Sequence, residues 1–175
     1  NTIRDIARIG DGSAFGITMA AVIAGGSSTN ELSNNMLFNI NSTAATTMDY
    51  IAGILVGGGA VGTIKVLYNT IKLAGVSAYS APGFAMAIGS GNPSIEMKNN
   101  IFVNEMTSTF GKNYALGLAY NGSFSNLNSD RNDFFTTASP LAIAGGLNNT
   151  PSGNLTNLAA YQALTGKDMN SKNAL

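Results

Sequence analysis

Cysteine and histidine are both absent from this 175-residue sequence, and charged residues make up only 10% of it. Without a thiolate or an imidazole, the chain cannot form a cysteine nucleophile, a Ser-His-Asp triad or an ordinary zinc site. Nine basic and nine acidic side chains give zero net charge, and they form no basic cluster. The electrostatic surface that a nucleic-acid binder needs is therefore missing.

Long apolar runs are missing too, since none reaches the ~18 residues that indicate a membrane-spanning helix. The apolar stretch from Gly16 to Gly26 is short and flanked by glycine, so it predicts a buried strand rather than a signal segment. Asn, Ser, Thr and Gly take the place of the missing charges. This composition favours β structure, and its neutral polar surface suits bacterial secretion.

The sequence does contain a repeat anchored on asparagine, with spacings of 34, 34, 31 and 32 residues. The anchors are Asn1, Asn35, Asn69, Asn100 and Asn132. Two residues after each anchor stands a large apolar residue, which gives a predicted core stack of Ile3, Leu37, Ile71, Phe102 and Phe134. Before two of the anchors, Ile64–Val66 and Ile95–Met97 alternate apolar and charged residues, as half-buried strands do. Each repeat thus predicts a strand, a corner at Asn and a second strand.

A third apolar strand follows each of the first four anchors by about half a repeat. These strands are predicted at Ile17–Val22, Ile51–Val56, Ala85–Ile88 and Tyr114–Ala119. Three short strands per repeat make a three-sided coil, the unit of a solenoid. We therefore predict an all-β chain, with about four to five coils of a right-handed parallel β-helix over residues 1–150. Residues 151–175 are predicted to form a C-terminal loop and a short helix.

The asparagine at the corner has a physical explanation. A tight bend between strands needs a residue with positive φ, and Asn tolerates that conformation better than any residue except Gly. Stacked coils would also let the corner amides hydrogen-bond to one another. We accordingly predict positive φ at the anchors and a structural ladder of Asn35, Asn69, Asn100 and Asn132.

Four residues before the anchors, the outward positions carry charges of alternating sign. They are Glu31, Lys65 and Glu96, followed by the neutral Asn128. If the coils stack about 4.8 Å apart, these side chains are direct neighbours and favour one register. The interior apolar stack, which no single coil can bury alone, supplies the main stabilisation.

Several segments resemble a known family. "ELSNNMLFNI", "VLYNTIKLAG", "IEMKNNIFVN" and "SDRNDFF" are similar to coils of right-handed parallel β-helix proteins of the pectate-lyase-like superfamily. They look most like repetitive surface proteins that Bacteroidota and relatives export through the type IX route. The tail "LTNLAAYQALTGKDMNS" (Leu155–Ser171) resembles the short helix and turn that follow the last coils in such proteins. The resemblance implies an extracellular or surface-attached location. The in-phase start, without signal peptide, cap or sorting domain, predicts a fragment or one unit of a longer protein.

Charged clusters are the candidate chemical sites. Asp130 and Asp133, beside Arg131, could hold calcium, as clustered carboxylates do in pectate-lyase-like enzymes, or they could satisfy turn amides beside Asn132. Asp168 offers similar alternatives. Two further charged groups could serve catalysis or only solvate the coils, namely Glu96, Lys98 and Glu105, and Arg4, Asp5, Arg8 and Asp11.

The glycine-rich segment and the tyrosines can each be interpreted as structural or as functional. The glycine-rich Gly57–Gly62 lacks the Lys-Ser/Thr of a P-loop and predicts a turn. Five tyrosines could stack on sugars or act as packing partners between strands, namely Tyr50, Tyr68, Tyr79, Tyr114 and Tyr120.

Two functions remain open at this stage. The first is a non-catalytic extracellular structural or adhesive module that presents flat polar sheets and assembles end to end with itself or with other surface proteins. The alternative is a polysaccharide-binding or polysaccharide-lyase-like β-helix, which rests on fold analogy. We expect no cofactor beyond possible calcium, no nucleic acid and no membrane insertion.

Overall fold

The chain folds as a parallel β-solenoid of about four turns with one short C-terminal helix, as predicted. The computed structural model describes residues 1–19, 29–43, 49–57, 62–77, 80–108, 111–137, 140–148 and 151–174. Each coil contributes one strand to each of three sheets, because glycine, serine and asparagine turns separate three short strands per repeat. Two predicted features lie partly outside the described residues, namely Ile17–Val22 beyond Met19 and the glycine-rich turn at residues 58–61.

The three sheets are named A, B and C, and their strands are numbered along the chain. Sheet A contains β1 (Thr2–Arg8), β4 (Met36–Ser42), β7 (Thr70–Ser77), β10 (Ile101–Ser108) and β13 (Asp133–Thr136). Sheet B contains β2 (Ala14–Met19), β5 (Ile51–Val56), β8 (Gly83–Ile88), β11 (Asn113–Leu118), β14 (Ala142–Ala144) and β15 (Asn154–Leu155). Sheet C contains β3 (Thr29–Ser33), β6 (Thr63–Leu67), β9 (Ser94–Lys98) and β12 (Leu127–Asp130).

The interior of the solenoid is a set of apolar columns held in register. The first column runs along sheet A, where neighbouring strands align Ile3, Leu37, Ile71, Phe102 and Phe134. The last four side chains are buried, and the Phe102 and Phe134 rings stack with centroids 5.7 Å apart. Sheet C contributes a second column that includes Ile64, Ile95 and Leu127. Stacking buries each apolar side chain against its equivalents in the neighbouring coils.

Sheet B differs from the prediction of polar outer faces. Its central strands are buried on both sides, and their apolar residues divide between the core and a second apolar cluster. That cluster includes Phe84 and Tyr114, whose rings stack with centroids 5.3 Å apart, and Leu147 from the last turn. A sheet buried on both faces requires continuous rather than alternating apolar sequence, which "GFAMAI" supplies. The central strands of sheet B therefore do not present the predicted flat polar face.

The corner between sheets C and A corrects a second prediction. Positive φ occurs one residue before each ladder asparagine, at Asn34, Tyr68, Asn99 and Arg131, with values of 54–58°. The ladder asparagines are not among the residues with positive φ. The preceding residue makes the bend and points outward, and this turns the following Asn side chain into the interior. At each corner, therefore, one residue bends the backbone and the next residue forms the ladder.

The C-terminal end of the solenoid is closed. Strand β15 pairs antiparallel with β14, and helix α1 (Leu158–Thr165) follows it. The Asn157 side chain caps the helix by accepting from the Ala160 amide at 2.9 Å, and Gly166, with φ of 67°, ends it. The Tyr161 ring packs on Phe134 with centroids 5.9 Å apart, so the helix extends the core column of sheet A by one aromatic layer.

Gly53 is a packing constraint inside sheet B. A Cβ atom at this position would lie 2.7 Å from the Ala85 carbonyl oxygen and closer still to Ile71 Cγ2. We expect Gly53→Ala to lower the free energy of unfolding by about 2 kcal/mol, as overpacking in a dense core does. Urea unfolding checks this value. The double variant Gly53→Ala/Ile71→Ala should lose less than the sum of the two single variants, and strict additivity would contradict the proposed clash.

Candidate functional site

An interior asparagine ladder is the most extended polar feature of the residues that the structure describes. In each rung the side-chain amide nitrogen donates to the side-chain oxygen of the next asparagine along the chain. The four Nδ2–Oδ1 distances lie between 2.9 and 3.0 Å and join Asn1, Asn35, Asn69, Asn100 and Asn132 in that order. The last four of these residues are buried. The ladder is therefore continuous over all the coils and runs in one direction.

Each inner asparagine side chain also forms hydrogen bonds with backbone groups of the corner. The Asn100 side-chain oxygen accepts from both the backbone N–H and the Nδ2 of Asn69, at 2.9 and 3.0 Å. Its Nδ2 donates to the carbonyl oxygens of Val66 and Lys98 in addition to Asn132. Buried backbone groups that would otherwise lack partners at the corner are bonded in this way. The amide side chain, with both donors and an acceptor, is required for this pattern.

The ladder ends on a carboxylate. Asn132 Nδ2 donates to Asp168 Oδ1 at 2.8 Å, and Ser171 Oγ donates to the same oxygen at 2.5 Å. The other oxygen, Oδ2, accepts from the Tyr161 hydroxyl at 2.9 Å. Asp168 is only 1% exposed, so these three donors replace water around its charge. A carboxylate, which only accepts hydrogen bonds, suits this position because the last ladder amide, Asn132 Nδ2, points a donor at it.

The environment of Tyr161 keeps its hydroxyl protonated. Burial raises the pKa of Tyr161 well above its ordinary value, and the neighbouring charge of Asp168 raises it further. The phenol therefore remains a hydrogen-bond donor to Asp168. Tyr161 takes part in two structures at once, since its ring lies in the core column and its hydroxyl completes the end of the ladder.

The outer surface at this corner carries the residues that make the bends. We call the column of Asn34, Tyr68, Asn99 and Arg131 the corner edge; all four side chains are exposed. Beside it lies an open groove of about 330 Å³ lined by the last bends and their neighbours, among them Asn99, Arg131, Asp133, Asn170 and Lys172. This groove joins amide, cationic and carboxylate groups in one place.

Tyr68 is the unusual member of the corner edge. Its φ is 55°, a conformation that Asn tolerates and that is strained for a bulky side chain, yet its side chain is 59% exposed. We expect Tyr68→Asn to raise the free energy of unfolding by about 1 kcal/mol through relief of this strain. The reciprocal variant Asn99→Tyr should lower it by a similar amount, and chemical denaturation measures both. A loss of stability in Tyr68→Asn would mean that the ring makes contacts worth more than the strain.

The two calcium candidates, Asp130 and Asp133, accept hydrogen bonds from the C-terminal segment. Asp130 accepts from the backbone N–H and the side-chain amide of Asn170, both at 2.9 Å, and Asp133 accepts from the Ala174 N–H at 3.1 Å. The hydrogen bonds from Asn170 lower the pKa of Asp130. In the part of the chain that the structure describes, no three acidic side chains come together as a metal site would need. Both carboxylates thus accept hydrogen bonds from backbone amides of the C-terminal segment.

The other charged candidates are divided into ion pairs. Register places Glu31, Lys65, Glu96 and Asn128 side by side on sheet C. Lys98 and Lys65 lie 2.9 and 4.0 Å from the Glu96 carboxylate, while Glu105 lies on sheet A and pairs with Lys72 at 2.8 Å. Glu96, Lys98 and Glu105 thus do not form one cluster. Such exposed pairs contribute about 0.2–1 kcal/mol each and act mainly on register.

The charges of the first coil form local contacts. Arg4 Nε lies 3.6 Å from the Asp5 carboxylate, and the Arg4 guanidinium lies over the Phe38 ring. Arg8 Nε donates to the backbone oxygen of Asp11 at 2.6 Å. These contacts organise the outer surface of the first coil, where both ion-pair partners are largely exposed.

The tyrosines do not form one sugar-stacking surface. Tyr114 and Tyr120 are buried and donate to Asn154 and to the Pro93 carbonyl, and burial raises the pKa of Tyr114 to about 12. Tyr50 packs beside Phe84, and Tyr79 lies outside the described residues. Tyr68 alone of the four described candidates has an exposed ring.

Sequence reasoning missed the partners that complete the ladder. Tyr161 and Ser171 were not singled out, and Ser129, which accepts from Asn132 at 3.1 Å, was also overlooked. For Asp168 the sequence suggested acceptance of turn amides or calcium binding, and not the end of the ladder. Ser171 stands 39 residues after Asn132, outside the repeat spacing of 31–34 residues, yet its hydroxyl accepts the Asn132 backbone N–H at 2.8 Å, as the next rung would.

Comparisons with known proteins place this chain in no family. No protein-family model, no curated protein and no solved structure matches it. No helix among the described residues is long and apolar enough to cross a bilayer.

Proposed function

We propose that this chain is a non-catalytic structural or adhesive module of a bacterial cell surface, exported by the type IX route. The continuous ladder from Asn1 to Asp168 carries the proposal. It locks all coils into one register, so that the solenoid behaves as a rigid unit. A rigid unit with long outer faces suits the display of binding surfaces at a distance from a membrane.

The distribution of polar groups supports a structural role. The buried amides and Asp168 are used in bonds between coils, and the charges of sheet C are used in pairs across neighbouring strands. The outer faces of sheets A and C combine Thr, Ser and Asn side chains with charges that are paired between or along strands. The resemblance of several coils to type IX-exported surface proteins supports the location.

Location can be tested on cells of the source bacterium. An antibody against the purified chain should label intact cells without permeabilisation. In a strain that lacks the type IX translocon, the label should appear only after the outer membrane is opened. A protein confined to the cytoplasm in both strains would overturn the proposal.

Polysaccharide binding is a second candidate, and the corner edge favours it. The exposed Tyr68 ring offers a stacking face, and the adjacent groove offers Asn99, Arg131 and Asp133 for hydroxyl or carboxylate groups. Coils about 4.8 Å apart repeat at nearly the length of one pyranose unit. An extended glycan could therefore contact several coils in the same way.

Affinity electrophoresis through gels that contain different polysaccharides tests this candidate. A ligand should retard the wild-type chain and the Tyr68→Phe variant, while Tyr68→Ala should migrate as it does without polysaccharide. Release of unsaturated uronate, followed by its ultraviolet absorbance, would indicate lyase activity. The absence of both retardation and product over the panel would remove this candidate.

A further inference from the structure

One asparagine of this chain stands where its side chain can react with the backbone. Asn121 is the only asparagine in the sequence that a glycine follows. It lies in the loop between β11 and β12, where Asn121, Gly122 and Ser123 are all exposed. We propose that Asn121 is a site of spontaneous covalent modification, at which the side-chain amide becomes the carboxylate of an aspartate or an isoaspartate. This inference goes beyond the proposed function and does not depend on it.

The reaction uses the backbone nitrogen of Gly122 as its nucleophile. A base from the solvent removes the proton of this nitrogen, which then bonds to Asn121 Cγ, and the Cγ–Nδ2 bond breaks to release ammonia. Water opens the resulting succinimide ring at either carbonyl carbon. One opening gives aspartate, and the other gives isoaspartate, in which the main chain passes through Cβ and Cγ. The net change converts one amide and one water into one carboxylate and one ammonium ion, without an oxidant or a cofactor.

The local geometry leaves Asn121 and Gly122 free to close this ring. A side chain on the residue after asparagine would crowd the attacking nitrogen, whereas glycine has no Cβ and has access to a wide range of backbone angles. Gly122 has a φ of 73°, and a Cβ built on it would meet no atom within 4 Å. The backbone N–H of Asn121 donates to Asn92 Oδ1 at 2.9 Å, but no hydrogen bond among the described residues holds its side chain. The reacting side chain can therefore turn toward the next nitrogen.

The other asparagines that precede a small residue are held in place. They are Asn41, Asn128, Asn170 and Asn173, each of which is followed by serine or alanine. Asn41 and Asn128 lie in strands, whose ψ of about +115 to +135° differs from the ψ that succinimide closure needs. Asn170 Nδ2 donates to Asp130 Oδ2 at 2.9 Å, and Asn173 Nδ2 donates to a backbone carbonyl at 2.6 Å. The four buried ladder asparagines precede larger residues. Modification should therefore concentrate at Asn121.

The product carries a new charge next to a partly apolar groove. Gly122 lines this open groove of about 400 Å³ together with Tyr120, Phe124 and Leu164. The sequence has nine basic and nine acidic side chains, so a tenth carboxylate changes its formal net charge from zero to −1. The Tyr120 hydroxyl donates to the Pro93 carbonyl at 2.6 Å and secures the chain before the loop. Modification therefore changes the surface at the groove while the coils stay in place.

Timed incubation of the purified 175-residue chain at mildly acidic and mildly alkaline pH tests the inference. Peptide mass spectrometry with electron-transfer fragmentation locates each converted asparagine and distinguishes aspartate from isoaspartate. Conversion should occur first at Asn121, yield both products and become faster as the pH rises, because the attacking nitrogen must lose its proton. An intact Asn121 in the folded chain, under conditions that convert a free peptide of residues 118–125, would overturn the inference. Aspartate without isoaspartate would also overturn it, since only the succinimide gives both.

Two variants complete the test. Gly122→Ala should convert at about one tenth of the wild-type rate or less, because a Cβ crowds the attacking nitrogen. Asn121→Gln, which lacks the short side chain that closes a five-membered ring, should show no comparable conversion at this position. The matched control is Asn128→Gln on the outer face of sheet C, which should leave the rate at Asn121 unchanged. Circular dichroism checks that all three variants fold. Equal rates at Asn121 in the wild-type chain and in Gly122→Ala would contradict attack by the Gly122 nitrogen.

Discussion

Asn100→Ala should lower the free energy of unfolding by about 3–5 kcal/mol, which is a large part of the stability of an ordinary domain. The Asn100 side chain makes three donor and two acceptor contacts, all with groups inside the corner. Its removal leaves the Asn69 N–H and the Val66 carbonyl without these partners in a buried place. Urea unfolding followed by far-ultraviolet circular dichroism measures the loss.

A matched control separates the ladder from asparagine content in general. Asn128 is exposed on the outer face of sheet C, so Asn128→Ala should change stability by less than about 0.5 kcal/mol. Asn100→Asp keeps the shape and loses the amide donors, and it places a carboxylate against the Val66 carbonyl and Asn132 Oδ1. Those acceptors disfavour the charged form and raise the pKa of the new Asp in the folded state. Its penalty should therefore be smallest at low pH, grow as the pH rises from the unfolded-state pKa to that folded-state pKa, and then level off.

Asp168→Ala should have the second largest effect, a loss of about 3–4 kcal/mol, because three donors lose a buried acceptor together. The donors are Asn132 Nδ2, Tyr161 Oη and Ser171 Oγ. Asp168→Asn keeps one carbonyl oxygen for Asn132 but turns an amide toward the Tyr161 hydroxyl. That hydroxyl can rotate to accept, so this variant should lose only about 1–2 kcal/mol.

The control for Asp168 is a carboxylate with exposed partners. Asp130→Asn keeps one acceptor oxygen for Asn170, and water can replace the hydrogen bond lost at this exposed site, so stability should change by less than about 0.5 kcal/mol. Thermal unfolding of the three variants gives the order. If Asp168→Ala were no less stable than Asp130→Asn, the end of the ladder would contribute nothing to stability. The role assigned to Asp168 would then be wrong.

The sequence contained enough information for the fold because the structural roles repeat. Each coil places an amide and a large apolar residue two positions apart, and this spacing survives changes in side chain from Ile3 to Phe134. A parallel solenoid aligns equivalent positions, so residues that recur once per repeat in the sequence become direct neighbours in the structure. The predicted coils, the three strands per coil and the short terminal helix are confirmed for this reason.

The error about the corner also has a physical cause. In the pairs Asn34-Asn35 and Asn99-Asn100, either residue could adopt positive φ, so these pairs do not say which one bends. The other two corners distinguish the two residues, because Tyr68 and Arg131 have positive φ although neither residue type favours that conformation. Backbone propensity favours positive φ at asparagine. The ladder asparagine is nevertheless needed as a buried amide, so the residue before it adopts the strained conformation.

The end of the ladder was beyond periodic reasoning. Asp168 and Tyr161 meet across the end of α1, in a segment that no longer follows the repeat. Contacts of this kind depend on how the helix docks, and this docking is determined by the Phe134 ring rather than by sequence spacing. The double burial of sheet B, by contrast, left a trace in the continuous apolar run of β8 that could have been recognised.

The one-way direction of the ladder also has an electrical consequence. Each rung points its side-chain oxygen toward the preceding coil and donates one amide hydrogen to the following asparagine, so the side-chain dipoles share a component along the axis. As in an α-helix, aligned dipoles leave partial charges at the ends, here positive at the C-terminal end. Asp168 places a full negative charge at that pole. The carboxylate thus compensates the field of the whole column, and a longer column polarises its own bonds more strongly.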